Sequence, residues 1–496
     1  MKLLNSSIWL SVACLILACK SQNKQLPNPA ETKPNIVFIA VDDLRADLGC
    51  YGNTVVKSPN LDKLAATGIL FENHFTNVPT CGASRHSLLT GMRPKAKAFL
   101  GNDITKHTLS KQPETDMPET FIHHLKRNGY YTVGIGKISH SADGYLYGYT
   151  EKPSSVRELP HSWNELLFDY GKWKTGWNAF FGYANGENRQ SLNQQVKPYE
   201  NAKVSDTGYV DGLTAQLAIS KLKKLKKSSK PFFMGVGFFK PHLPFNSPEI
   251  YWDLYERDAM PLSPNPEIPV NINLKSLHNS NEFNQYKLTD EVPSLKQSVS
   301  PEYAKKLRHA YYACVSYIDQ QIGLLIKEIE NLNLNNNTII VVWGDHGWHL
   351  GDQQMWGKHS LFENALKSTL IVKVPRKYQS QSVKTIVETV DIYPTLLELC
   401  NIKQPHILDG ESFVNILEGQ VEQNKAVAYG YFNKGISLRT ERYRLTKYFR
   451  KGTPTIELYD YKTDPHETKN IASNNQELVN RLLPLLEKGN TGLYDF

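Results

Sequence analysis

The run Asn35-Ile36-Val37-Phe38-Ile39-Ala40-Val41 is almost wholly apolar and stops abruptly at Asp42-Asp43. An uninterrupted apolar run of strand length, without polar alternation, reads as a strand buried on both faces, which belongs in a parallel sheet covered by helices. In open sheets of this kind chemistry gathers at the C-terminal strand ends, where the two aspartates stand. The pattern recurs along the chain. Helical stretches at 61–66 and 117–127, the second closed by Asn128-Gly129, precede a strand at 130–135. A strand at 231–239 ends in Lys240-Pro241-His242, and a long helical pattern at 302–332 leads into a strand at 338–343 that delivers Gly344-Asp345-His346-Gly347. The expected fold class is therefore α/β, a mostly parallel sheet flanked by helices.

Beyond 426 the texture changes to short strands at 426–432, 435–440, 443–448 and 455–459, then a helix at 476–488. This predicts a smaller C-terminal α+β domain containing an antiparallel sheet. With 496 residues the chain exceeds one small core, and the expected division is a catalytic domain at 34–418 and a C-terminal subdomain at 419–496. Segments 141–204 and 246–301 are rich in Tyr, Trp, Asn and Pro without a sustained period, and read as loops over the active face that carry specificity.

Lys2, an apolar run at 8–17 and Ile16-Leu17-Ala18-Cys19 read as a signal peptide over 1–19, too short to span a membrane. Its end resembles a lipobox, which predicts a lipidated Cys19, a flexible tether at 20–33 and an exported protein of the periplasm or cell surface, anchored to a bacterial membrane. An ordinary cleaved signal is the alternative. Of the other cysteines, Cys50, Cys81, Cys314 and Cys400 are widely spaced and form no metal-type pair. Export leaves a disulfide among Cys50, Cys314 and Cys400 open. The net charge of +8 suits an anionic carbohydrate. The lysine run at 221–230 follows an apolar helical pattern and reads as a solvated helix end, so no nucleic-acid partner is expected.

Cys81-Gly82-Ala83-Ser84-Arg85 runs into Leu88-Leu89-Thr90-Gly91 at a loop-to-helix junction. A helix start offers unpaired N–H groups and a positive dipole end, and an arginine four residues on shares the face, which suits an oxyanion. A lone cysteine there would be a buried structural thiol. Asp42, Asp43 and Asp345 are three carboxylates that repel one another unless a cation neutralises them, and oxygen donors favour Ca²⁺ or Mg²⁺ over zinc. Taken alone, the Asp pair would read as a helix N-cap.

Taken together, Val41-Asp42-Asp43-Leu44-Arg45, the Cys-x-(Pro/Ala)-x-Arg segment at 81, Gly136-Lys137-Ile138-Ser139-His140, Lys240-Pro241-His242-Leu243-Pro244-Phe245, Gly344-Asp345-His346-Gly347-Trp348 and Lys358-His359-Ser360 resemble the iduronate-2-sulfatase branch of the formylglycine-dependent type I sulfatases. The match runs in order over nearly the whole mature chain, and Glu457-Leu458-Tyr459-Asp460 with Asp464-Pro465 resembles that family's second domain. The resemblance implies an alkaline-phosphatase-like fold and conversion of Cys81 to formylglycine by a maturation enzyme. It implies one divalent cation, Ca²⁺ ahead of Mg²⁺, on Asp42, Asp43, Cys81, Asp345 and His346. Arg85 and Lys137 would hold the hydrated nucleophile and the sulfate, His242 with Lys358 would protonate the leaving oxygen, and His140 would act as base. His359 stands where the iduronate enzyme has Tyr and would touch the sugar; Ala83 stands where many members have Pro.

The implied substrate is an O-sulfated sugar of a polysaccharide or oligosaccharide, with ulvan and glycosaminoglycans ahead of carrageenan and fucoidan. A phosphomonoesterase or phosphodiesterase of the same superfamily and a catalytically silent surface glycan-binding protein are the alternatives. Lys240 is expected to be solvated, and His86, His309 and His349 carry no role.

Overall fold

The computed structural model describes residues 33–110, 118–375, 380–420 and 427–495. The expected signal peptide, the expected lipidation site Cys19 and all but the last residue of the expected tether lie outside them, as do Met117 and most of the stretch before the C-terminal strands. Among the described residues no helix is long and apolar enough to cross a membrane.

Eight strands form the main sheet: β1 (Asn35–Val41), β2 (Ile69–Phe75), β3 (Tyr131–Gly136), β4 (Glu165–Leu167), β5 (Phe232–Phe238), β6 (Thr338–Gly344), β7 (Leu370–Lys373) and β8 (Gln381–Glu388). Their order is β8-β2-β7-β6-β1-β5-β3-β4. Every neighbouring pair is parallel except the two made by β7, which runs antiparallel to β2 and β6. β1 sits centrally and is buried throughout, as its unbroken apolar run requires. Its odd-numbered residues Val37, Ile39 and Val41 pack into one layer, while Ile36, Phe38 and Ala40 pack into the other.

The first layer includes helices α4 (Val210–Leu225) and α5 (Pro301–Asn331); the second is built largely from α3 (Phe121–Arg127) and α6 (Ile392–Leu399), with α1 (Pro59–Thr67) and α2 (Cys81–Thr90) completing the set. Ser300 caps α5 by accepting from the Tyr303 N–H, with Pro301 in the first turn. α3 begins at Phe121, later than its sequence pattern suggests, because the Thr120 side chain accepts the His123 N–H at 3.1 Å and caps the helix there. β4 emerges from a stretch that reads as loop. It is a three-residue edge strand with half-buried side chains, too short to imprint a period.

Register does the positioning. Val41 pairs with Gly344 on one side and Phe238 on the other, so Asp42-Asp43, Asp345-His346 and the loop from Phe239 leave the sheet at one level. At the C-terminus β9 (Val427–Phe432), β10 (Gly435–Thr440), β11 (Tyr443–Tyr448) and β12 (Ile456–Asp460) form an antiparallel meander, with Leu438, Leu445 and Leu458 packed on Val479, Leu482 and Leu486 of α7 (Gln476–Glu487). Glu363 ties this sheet to the larger one through Arg439 at 3.0 Å and through Arg444. Cys50, Cys81, Cys314 and Cys400 are all free thiols.

Candidate active site

Cys81 opens α2, a helix buried along its whole length. The Gly82 N–H is taken by Asn102 at 2.9 Å, and the approach is so close that a Cβ at 82 would meet Asn102 backbone at 2.2 Å. One turn on, Ser84 donates to the Asp345 carbonyl at 2.5 Å. Arg85 places Nε 3.0 Å from Asp345 Oδ2 and Nη2 3.3 Å from Asp42 Oδ1, and its Nη1 donates to the Lys137 and Ile138 carbonyls at 2.5 and 3.2 Å. Four of the five guanidinium N–H donors are therefore engaged, which fixes the group and leaves one Nη2 N–H for a ligand.

Asp43 adopts φ 59°, a left-handed conformation that costs a non-glycine residue free energy and needs surroundings to impose it. Tyr311 donates to its carbonyl at 2.7 Å, and its own N–H donates to Asp345 Oδ1 at 3.0 Å. This turn presents the Asp43 carboxylate beside that of Asp42. Donor atoms of Asp42, Asp43, Cys81 and His346 all lie within 4.8 Å of one another. Two facing carboxylates, an imidazole and the position-81 side chain, whose sulfur stands where a formylglycine oxygen would be, fit a divalent cation with a preference for oxygen. Asp345 is brought to the same spot but is engaged otherwise: Oδ2 meets Arg85, and Oδ1 accepts the Asp43 and His346 N–H groups.

Burial shapes the electrostatics. Asp42 is held well below the usual carboxylate range because Lys137, His242 and Arg85 together outweigh its desolvation. Asp43 lies well above that range, since desolvation, with Cys81 and Asp42 adding to it, exceeds what Lys358 and His346 return. Desolvation and the Asp42 charge push the Cys81 thiol up to about 12.

Lys137 follows β3 and sets Nζ 2.6 Å from Asp42 Oδ2. His140 lies three residues further; its Nδ1 is buried without a partner, its ring centre is 5.6 Å from that of Trp177, and desolvation plus Lys137 keep it well below the imidazole range, hence neutral. His242, in the loop after β5, sets Nε2 2.9 Å from Glu282 Oε1 and 3.9 Å from Asp43 Oδ2, with Nδ1 2.6 Å from the Leu243 carbonyl. Desolvation and Lys358 draw it down to about 4, yet both ring nitrogens face acceptors, the arrangement of a ring that carries two protons. Lys358 Nζ lies 3.0 Å from both Asp43 Oδ1 and Glu282 Oε1.

Glu282 thus joins His242 to Lys358, and no motif marks it. It lies in the patternless 246–301 segment, and only chain folding brings it to the site. Lys240 corrects its sequence reading: it is 2% exposed, and its ammonium donates to the His242 and Pro244 carbonyls at 2.9 and 2.7 Å, curling the loop that carries His242. The His359 ring stacks on Phe432 of β9 at 5.6 Å and meets His278 at 6.4 Å, forming a wall beside Lys358. His86, His309 and His349 are buried elsewhere, against Phe99, the Trp252 carbonyl and Ser360 respectively.

The family described as sulfatase matches residues 34–402, and that described as N-sulphoglucosamine sulphohydrolase, C-terminal, matches 344–490. The iduronate 2-sulfatase of Homo sapiens is 31% identical, covering 80% of this chain and 73% of its own. An ulvan-active sulfatase of Formosa agariphila is 29% identical over 94% of this chain and 82% of its own. Among solved structures, the phosphonate monoester hydrolase of Agrobacterium radiobacter shares the fold with a TM-score of 0.72 at 22% identity, covering 92% of this chain and 96% of its own.

Proposed function

This chain belongs to the sulfatase family and hydrolyses sulfate esters, and from that premise we propose that its substrates are O-sulfated sugars of a polysaccharide or of oligosaccharides cut from it. The names of its relatives point to ulvan and to iduronate-containing glycans, and the net charge of +8 suits a polyanion. The observation that carries the site assignment is the convergence of Cys81, Asp42, Asp43 and His346 within 4.8 Å, ringed by the buried cations Arg85, Lys137 and Lys358.

Cys81 is the precursor of formylglycine. Once hydrated, that side chain supplies one hydroxyl oxygen to attack sulfur and a second hydroxyl through which sulfate is later expelled as the aldehyde returns. Asp42, Asp43, His346 and residue 81, with Asp345 alongside, would hold a divalent cation, calcium by preference, which when bound would supply positive charge to the sulfate oxygens and to the nucleophile. Arg85 and Lys137 hold the same charge from the other side and need no reorganisation, being locked by their carboxylates. As the bond from sulfur to the ester oxygen breaks, His242 gives its Nε2 proton to the leaving oxygen while Lys358 stabilises it. His140, kept neutral, takes the proton of the second hydroxyl through its open Nδ1.

One feature favours phosphoryl transfer instead. Asp43, His242 and Glu282 form a second set of metal-type donors, and phosphatases of this kind often use two metals. Against it, Lys358 Nζ already bridges Asp43 and Glu282 as a built-in cation. Comparing matured enzyme on an aryl sulfate and the matching aryl phosphate decides: sulfate release dominates if the proposal holds, and dominant phosphate release refutes it. Release of sulfate from any sugar likewise refutes a purely glycan-binding protein. Export and anchorage through Cys19 are part of the same proposal; Cys19→Ala moves the protein out of the membrane fraction if they are right.

A further inference from the structure

Arg189 is a charged group near the site that the proposed reaction leaves unused. It is 3% exposed, and among the described residues it has no carboxylate within ion-pair distance. Its guanidinium carbon lies 3.7 Å from the centre of the Phe181 ring and 5.2 Å from that of Tyr286. Nε has no hydrogen-bond partner, and neither have the Tyr286 hydroxyl and Glu282 Oε2. A buried cation set against two aromatic side chains, with the Tyr286 hydroxyl nearby but no paired carboxylate, is costly, because such contacts return a fraction of its lost hydration. Arg85, Lys137 and Lys358, by contrast, are each matched to a carboxylate.

Its position gives the imbalance a purpose. Tyr149 is 41% exposed and meets the Trp177 and Phe181 rings at 4.6 and 5.3 Å. The Tyr149 hydroxyl lies within electrostatic reach of Lys137, Glu282, Arg189 and Cys81. Trp177 in turn touches His140. A run of aromatic rings, Trp177, Tyr149 and Phe181, therefore links His140 of the candidate site to a buried guanidinium that forms no ion pair among the described residues. A planar fork of donors suits a carboxylate or a sulfate bidentately.

We propose that Arg189 binds a second anionic group, carboxylate or sulfate, on the same saccharide whose sulfate ester is cleaved at residue 81. The assignment rests on the sugar-sulfatase reading above. The test uses matured full-length enzyme and three probes: an O-sulfated sugar with no other charge, the same sugar bearing a uronic carboxylate, and the same sugar bearing a second sulfate. Wild type favours one doubly anionic probe in kcat/KM by about 10- to 100-fold, the worth of a charge-assisted hydrogen-bonded pair, and the favoured probe identifies the anion. In Arg189→Ala that ratio falls toward one, chiefly through KM, and Arg189→Lys restores part of it. A wild type without preference overturns the proposal, as does an Arg189→Ala enzyme with an unchanged ratio, the result a packing role gives. Should Arg189→Ala melt far below wild type, Arg189→Gln carries the comparison.

Calorimetric binding of the doubly anionic probe to Cys81→Ala, with and without Arg189→Ala, separates the two readings. Binding that does not depend on Arg189 overturns the inference. Arg189-dependent binding, with no sulfate released from any sugar by wild type, overturns the reaction and leaves the anion site standing.

Discussion

At position 81, burial and the Asp42 carboxylate push the thiol up to about 12, so the unmodified side chain is neutral at any ordinary pH and a poor nucleophile. The same confinement suits a neutral hydrated aldehyde. Mass spectrometry of the residue-81 peptide from fully active enzyme is expected to show formylglycine, and Cys81→Ala to lose about 10³-fold or more in sulfate release. Finding unmodified cysteine at full activity would falsify the proposed reaction. Glu282 is the residue that sequence reasoning missed. Its carboxylate, held well below the usual range because Lys358 and His242 outweigh its desolvation, accepts from both and so orients the proposed acid. Glu282→Gln should lower kcat by about 10- to 100-fold with little change in KM, since it touches the leaving-group side of the chemistry rather than sugar binding. Equal losses in KM would move Glu282 into the substrate pocket.

Elements place these residues by backbone contact more than by side-chain packing. β3 and β5 come so close at their ends that a Cβ at Gly237 would lie 2.0 Å from the Lys137 carbonyl oxygen and 2.5 Å from its nitrogen. Since those atoms belong to the backbone that delivers Lys137, Gly237→Ala must shift β3 or β5 rather than a flexible side chain. A loss of roughly 1–3 kcal/mol in stability is expected from such overpacking, together with a kcat loss larger than global unfolding explains. Thermal melts alongside sulfate-release kinetics measure both; a variant that melts like wild type would show that the strands can part at no cost. The Asp43 turn follows the same logic. Its φ of 59° is imposed by Tyr311 from α5 and by Asp345 just after β6, segments more than two hundred residues away.

Over the whole molecule, ion binding and proton uptake act on the fold itself. A cation that binds only the folded cluster stabilises it by about 2.7 kcal/mol at a hundredfold excess over its Kd, so chelation should lower the melting midpoint and the activity together and calcium should restore both. Unchanged melting after chelation would mean that the carboxylates are balanced by Arg85, Lys137 and Lys358 alone. Acid should destabilise through histidines remote from the site. Desolvation holds His86 down to about 4, and His74 likewise to about 4 against the pull of Glu388 and the Ser368 carbonyl. Both lie below the ordinary 6.5, so the fold favours the neutral rings; this contribution is complete above pH 6.5 and is lost as pH falls toward 4. Denaturant midpoints measured over that window should fall, and His86→Gln should fall less steeply by about one proton's worth.

By itself the sequence determined the layered fold and named most of the groups that the structure gathers at the candidate site. An unbroken apolar run with acidic residues at its end, or Cys81 four residues before Arg85, is a local pattern whose meaning survives without coordinates. Only the tertiary structure decided that β7 runs antiparallel, that Lys240 is buried under its own loop, that Glu282 links His242 to Lys358, and that Arg189 has no ion-pair partner among the described residues. These depend on which atoms from distant segments arrive within a few ångströms of one another, and no local period or spacing records that.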